Sequence, residues 1–223
     1  MKEKKIYIGL SGDSIHHGHI NLIEKARKYG KIIVGLLTDK AISDHKRLPM
    51  LNFKQRKQII KNIKGVYKVI PQDEWDYSNN LKRIKPEYMI HGDDWMSGPQ
   101  FNLRKNAIKA LKSFDGKLIE VPYTKGVSST ALAEENKSNF TTSEIRLKTL
   151  KRLLDSKTLL RFIETHNPIS AIIAENVIFK DQNTTKSFDG FWSSSLTDAT
   201  SMGKPDIEAL DISERLSNIN NIF

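Results

Sequence analysis

Ser11-Gly12-Asp13-Ser14-Ile15-His16-His17-Gly18-His19 sets His16 and His19 three positions apart around a glycine. Imidazole N–H groups donate well to phosphate oxygens, and Gly18 lets the backbone pass close to a ligand. Ile6 to Leu10, just ahead, reads as a buried strand. Ile20 to Ala26, just behind, begins a helix with apolar residues at 20, 22, 23 and 26. The histidines therefore fall on a strand-to-helix turn, where free backbone N–H groups and the helix dipole favour an anion. An isolated H-x-G-H is most often a surface turn, and its place behind the first strand of an alternating pattern is what reverses that reading. Two later turns carry similar chemistry. In His91-Gly92-Asp93-Asp94-Trp95 the adjacent carboxylates can accept from ribose hydroxyls or a base amine, and a metal role is open to them. In Tyr123-Thr124-Lys125-Gly126-Val127-Ser128-Ser129-Thr130 the last three residues open a helix whose hydroxyls and N–H groups can hold phosphates.

Around these turns, strand-like and helix-like stretches alternate from residue 5 to about 122. Strands are predicted at Lys5–Leu10, Ile32–Thr38, Val66–Ile70, Tyr88–His91 and Leu118–Val121, with helices at about 19–29, 53–63, 78–84 and 101–113. Short apolar strands alternating with amphipathic helices imply an α/β fold with a Rossmann-like, doubly wound parallel sheet, which binds ligands at the carboxyl ends of its strands. All three polar turns follow strands, so they share one edge of one sheet. A nucleotide-binding domain over 1–136, a polar linker over 137–142 and a second segment over 143–223 complete the expected organisation. That last segment reads as mostly helical, with helices at Glu144–Leu154 and Thr158–Thr165.

The 223 residues are 38% hydrophobic and 28% charged, contain no cysteine and carry a formal net charge of +10. Disulfides and thiolate zinc sites are excluded, and a cytoplasmic location is the expectation. No run approaches the roughly 18 apolar residues of a membrane span, so no membrane partner is expected. The lysines are scattered through helical stretches such as Lys54-Gln55-Arg56-Lys57, without an RNA-binding aromatic signature, which argues against nucleic acid as a partner. A basic surface still steers small polyanions such as nucleotides.

Taken together, His16-His17-Gly18-His19, Gly92-Asp93-Asp94-Trp95 and Gly126-Val127-Ser128 make the first 135 or so residues resemble cytidylyltransferases of the H-x-G-H nucleotidyltransferase superfamily. The glycerol-3-phosphate and ethanolamine-phosphate types are the nearest in pattern. The resemblance implies transfer of CMP from CTP, with Mg²⁺, to a small phosphonate or phosphate-ester acceptor, releasing pyrophosphate. It makes His16, His19, Lys46 and Arg47 catalytic. Nucleotide-binding roles fall to Ser11, Gly12, Gly18, Arg56, Gly92, Asp93, Asp94, Trp95, Gly126, Val127, Ser128, Ser129 and Thr130. Asp13 and Tyr123 are expected on the acceptor side, and no residue is assigned as a metal ligand. Two departures from the family pattern matter: Tyr123 stands where an arginine opens the second signature, and Leu10-Ser11-Gly12-Asp13 replaces Gly-Thr-Phe-Asp. Both resemble cytidylyltransferases fused to phosphoenolpyruvate mutases in phosphonate biosynthesis. They make a small phosphonate the expected acceptor; the alternatives are glycerol 3-phosphate or phosphoethanolamine as acceptor, adenylyl transfer from ATP, and a non-catalytic nucleotide-binding module with a decayed mutase fragment.

Glu164-Thr165-His166-Asn167-Pro168-Ile169-Ser170-Ala171 resembles the opening of phosphoenolpyruvate mutases in the isocitrate-lyase superfamily. Trp192, Ser194, Ser195 and Leu196 match their substrate loop, and Asp206 falls in a segment that carries an active-site aspartate. The resemblance implies part of an (α/β)₈ barrel of about 250 residues. The D-x-D-T-G magnesium loop is not in the sequence, so no mutase activity is expected from this chain alone. A homodimer and a second chain that completes the barrel are both compatible partners.

Overall fold

The computed structural model describes residues 3–46, 48–122, 124, 143–181, 184–207 and 209–222. It divides into two units, Met1–Ser156 and Lys157–Phe223. The first contains β1 (Lys5–Leu10), α1 (His17–Ala26), β2 (Lys31–Leu37), α2 (Asp39–Ser43), α3 (Phe53–Lys61), β3 (Val66–Gln72) and α4 (Ser78–Ile84). β4 (Tyr88–Gly92), α5 (Phe101–Lys112), β5 (Lys117–Val121) and α6 (Ser143–Ser156) follow. The five strands form one parallel sheet in the order β3-β2-β1-β4-β5. All five predicted strands are present, each within a residue or two of its expected ends.

Side chains alternate across the sheet, as a two-residue period demands. Ile6, Ile8 and Leu10 of β1 join Ile23 of α1 and Ile60 of α3 in one core cluster. Tyr7, from the same strand, points the other way and joins Leu81 of α4 and Ala107, Ala110 and Leu111 of α5 in a second. Helices thus cover both faces, which is why β1 and β2 read as nearly unbroken apolar runs. The connections run outward from β1 to β2 and β3, then return to β4 on its other side. That reversal opens a crevice at the carboxyl ends of β1 and β4, where such sheets bind ligands.

Two predicted features are placed differently. α6, expected to begin the second segment, belongs to the first unit: Ser43 Oγ donates to Ser156 O at 3.3 Å, and the two helices that carry these residues pack together. The helix expected at Thr158–Thr165 is absent, and Phe162–Glu164 is instead the strand β6. β6 pairs in parallel with β9 (Gly190–Trp192), and Asp189 N–H donates to Arg161 O at 2.8 Å. A partner strand 28 residues away outweighs a local helical period. The second unit also holds α7 (Pro168–Asn176), the hairpin β7 (Phe179–Asp181) and β8 (Thr184–Lys186), α8 (Ser195–Ser201) and α9 (Ile212–Ile222). Among the described residues, no helix is long and apolar enough to cross a membrane.

Candidate active site

A cleft of about 290 Å³ lies at the carboxyl edge of the sheet. Its walls come from the end of β1 (Gly9, Leu10) and Ser11 just after it, the start of α1, Leu37 at the end of β2, His91 and Gly92 at the end of β4, and Val121 at the end of β5. Five elements converge there because parallel strands all end on the same side.

His16 is the N-cap of α1, and its side chain forms a reciprocal capping box with His19. Gly18 N–H donates to His16 Nδ1 at 3.2 Å, and His16 N–H donates to His19 Nδ1 at 3.4 Å. The rings lie 4.0 Å apart between centroids. Loss of solvent, reinforced by the neighbouring His16, pushes His19 down to about 4. Loss of solvent and the nearby His17 also lower His16. Both rings are therefore neutral near pH 7, and with Nδ1 accepting, each carries its hydrogen on Nε2. The cap thus fixes the tautomer and leaves two N–H donors for the cleft. A side chain on Gly18 would put Cβ 2.9 Å from the His16 ring, so glycine is required for the ring to fold over the helix start.

Lys46 follows α2, and its ammonium stands 5.4 Å from the centre of the Trp75 ring, on the wall of the cleft. Loss of water there lowers its pKa, an effect Asp94 opposes. Asp94 also faces the cleft, with Oδ1 3.8 Å from His91 Nδ1. His91 lies flat on Trp95, 3.7 Å between centroids, while Trp95 Nε1–H donates to Glu120 Oε1 at 2.8 Å. Glu120 in turn accepts twice from Arg104, which holds its carboxyl below the usual carboxylate range.

Of the expected site residues, Ser11, His16, Gly18, His19, Lys46, Gly92 and Asp94 line this one cleft. Others serve it from behind. Arg56, expected on the nucleotide, is fully buried with its donors committed. Nε donates to Leu51 O at 3.1 Å, and Nη1 donates to Leu37 O at 2.8 Å and to Ser11 O. Nη2 donates to Asp39 Oδ1 at 2.6 Å. Arg56 therefore ties the ends of β1 and β2 together. Asp13, expected on the acceptor, accepts from Met50 N–H at 2.8 Å and Leu51 N–H at 3.4 Å and is not on the cleft wall. Gly12 takes a left-handed φ of +66°, which turns the chain from β1 towards the histidines. Trp95 is buried beneath His91, and Asp93 opens the same short helical turn without lining the cleft. Arg47, Tyr123, Gly126, Val127, Ser128, Ser129 and Thr130, with the linker at 137–142, lie outside the described residues.

His91 and Thr124, which lie in the motif turns without an assigned role, and Trp75 and Tyr77, outside them, are also on the cleft wall. His91 sits at a strand's carboxyl end, and that position was the available signal. Trp75 and Tyr77 occupy the polar turn after β3, a strand end that carries no motif. In the second unit, none of the expected substrate-loop residues Trp192, Ser194, Ser195 and Leu196, nor Asp206, lines the cavity found there. Ser194 caps α8, Trp192 and Leu196 are exposed, and Asp206 is exposed. The cavity found there is lined instead by Leu160, Arg161, Phe162, Phe179, Lys186 and Phe188.

Residues 11–146, more than half of the chain, match the family model described as cytidylyltransferase-like. The chain belongs to that family. The cytidylyltransferase-like region is 28% identical over 134 residues to the glycerol-3-phosphate cytidylyltransferase of Bacillus spizizenii, covering 59% of this chain and 96% of that protein. It is 31% identical over 110 residues to an FAD synthase of Ferroglobus placidus, covering 48% and 72%. An ethanolamine-phosphate cytidylyltransferase of Arabidopsis thaliana is 30% identical over 135 residues, covering 58% of this chain and 31% of that one. Family and relatives make the protein a nucleotidyltransferase. Residues 150–223 match a second family model, described as phosphoenolpyruvate phosphomutase.

Proposed function

We propose that this cytidylyltransferase-like protein transfers CMP from CTP to a small phosphonate, such as 2-hydroxyethyl- or 2-aminoethylphosphonate, and releases pyrophosphate. The observation that carries the choice of acceptor is the pairing, in one chain, of a cytidylyltransferase-like region with a phosphoenolpyruvate phosphomutase-like one. An oxygen of the acceptor attacks the α-phosphorus of CTP. A new P–O bond forms, the bond to the bridging oxygen breaks, and pyrophosphate leaves with that electron pair. The protein's task is to align the two and spread the charge.

His16 and His19 donate Nε2–H to phosphate oxygens as charge builds, and Lys46, also on the cleft wall, adds a positive charge. Such preorganised donors act in the transition state more than in the ground state, so their loss lowers turnover more than affinity. Mg²⁺ would come with the nucleotide and would offset phosphate charge. Among the described residues no group of three or more His, Asp or Glu side chains forms a protein cage for it.

A phosphate-ester acceptor is the second reading, and the names of the glycerol-3-phosphate and ethanolamine-phosphate relatives favour it. Pyrophosphate release from CTP, measured with each phosphonate, glycerol 3-phosphate and phosphoethanolamine, separates the two. Turnover with the phosphonates supports the proposal. Turnover with glycerol 3-phosphate or phosphoethanolamine, and none with any phosphonate, overturns it. Protection against thermal unfolding by CTP but not ATP is expected for the nucleotide.

A further inference from the structure

Arg152 lies beyond the cytidylyltransferase-like match and inside the phosphomutase-like one, yet it belongs to the first unit. Its Nη1 donates to Met50 O at 2.9 Å and its Nη2 donates to Pro49 O at 2.8 Å. Nη2 also stands 3.9 Å from Asp39 Oδ2, beside the buried Arg56. The N–H groups of Met50 and Leu51 are taken by Asp13, so this short stretch is held from both sides. At the other end, Ser156 O accepts from Ser43 Oγ, the last residue of α2. Lys46 sits between these two anchors, and its own N–H donates to Ile42 O at 2.7 Å. A lysine ammonium hangs on a flexible four-carbon stem, so the position of its backbone sets the region the charge can reach. Here that backbone is gripped on both sides by one helix, α6.

We propose that Arg152 is a positioning residue for Lys46: α6 grips the chain at Ser43 and at Pro49 and Met50, on either side of Lys46, and so holds the lysine ammonium in the cleft. The catalytic unit then extends past the family match, to the end of α6. The kinetic part of this inference rests on the nucleotidyl-transfer reading above.

The test uses the full chain with Arg152→Ala, and with Arg152→Gln, which keeps one donor should the alanine variant fail to fold. Trp75 is a built-in reporter, since the His45 ring stacks on it at 5.0 Å and the Lys46 ammonium lies over it. Releasing the clamp is expected to change Trp75 emission, and the change should vanish when the same substitution is made in Trp75→Phe. Turnover with CTP should fall tenfold or more, while CTP affinity, read by titration calorimetry, stays within threefold. A role in folding alone would move neither the emission of Trp75 specifically nor kcat apart from affinity. Unchanged Trp75 emission in a folded variant overturns the clamp, as does wild-type kcat in a variant of an active enzyme. An inactive wild type would instead overturn the activity reading and leave the emission to decide the clamp.

Discussion

His16 does two separable jobs, and one substitution divides them. Its Nδ1 caps α1 by accepting from Gly18 N–H at 3.2 Å, and its Nε2–H is left as a donor for the cleft. His16→Asn supplies an acceptor that ranks among the best N-caps, whereas His16→Ala supplies none. The His16 N–H bond to His19 Nδ1 is a backbone feature and survives both changes. Loss of the cap costs about 1 kcal/mol, or about 2–4 °C in Tm for a protein of this size. Loss of one preorganised donor to the reacting phosphate costs about 3 kcal/mol, a fall in kcat of roughly a hundredfold to a thousandfold. The expected pattern is therefore a His16→Asn variant with near wild-type Tm and severely reduced turnover, and a His16→Ala variant low in both. Thermal unfolding and pyrophosphate release from CTP read the two properties on the same samples. A His16→Asn variant with kcat within threefold of wild type would refute the donor role. Equal Tm for His16→Ala and wild type would refute the cap.

Three further outcomes follow from the same geometry. His19 has a folded pKa of about 4 against an unfolded value near 6.5, so between these values the unfolded chain binds more protons. Its stabilising contribution is complete above pH 6.5 and falls by about 3 kcal/mol as pH drops to 4. Urea unfolding of His19→Asn should accordingly show a shallower loss of stability than wild type across that window. Arg56→Lys should lower stability by about 3 kcal/mol or more, because one ammonium cannot satisfy three carbonyls and Asp39 from a fully buried position. Unchanged stability with only a raised KM for CTP would return Arg56 to the nucleotide. Gly12→Ala forces an L side chain into a left-handed φ of +66° and against Leu36, and should cost about 1–2 kcal/mol together with most of the activity.

Much of the fold was legible in the sequence because its signals are local. The buried strands β1 and β2 announce themselves as apolar runs, α1, α3 and α5 carry a helical period, and H-x-G-H sits where a strand gives way to a helix. Those features alone placed the histidines, Ser11, Gly92 and Asp94 on one edge of one sheet. What could not be read was which polar side chains the edge would keep for the cleft. Arg56 and Lys46 look alike as exposed basic residues in a lysine-rich chain. Only the crossing of β1, β2 and α2 over the start of α3 buries Arg56 among backbone carbonyls and leaves Lys46 above Trp75. Likewise α6 has the period of any helix, and β6 is three residues long. Their allegiance is set by contacts with Met50, Pro49 and β9, which lie about 100 and 28 residues away. Propensities and spacings that act within a few residues set the elements and the chemistry at their ends. The tertiary structure alone decided which residues face the cleft and which hold it open, since long-range burial and carbonyl pairing leave no periodic trace in the chain.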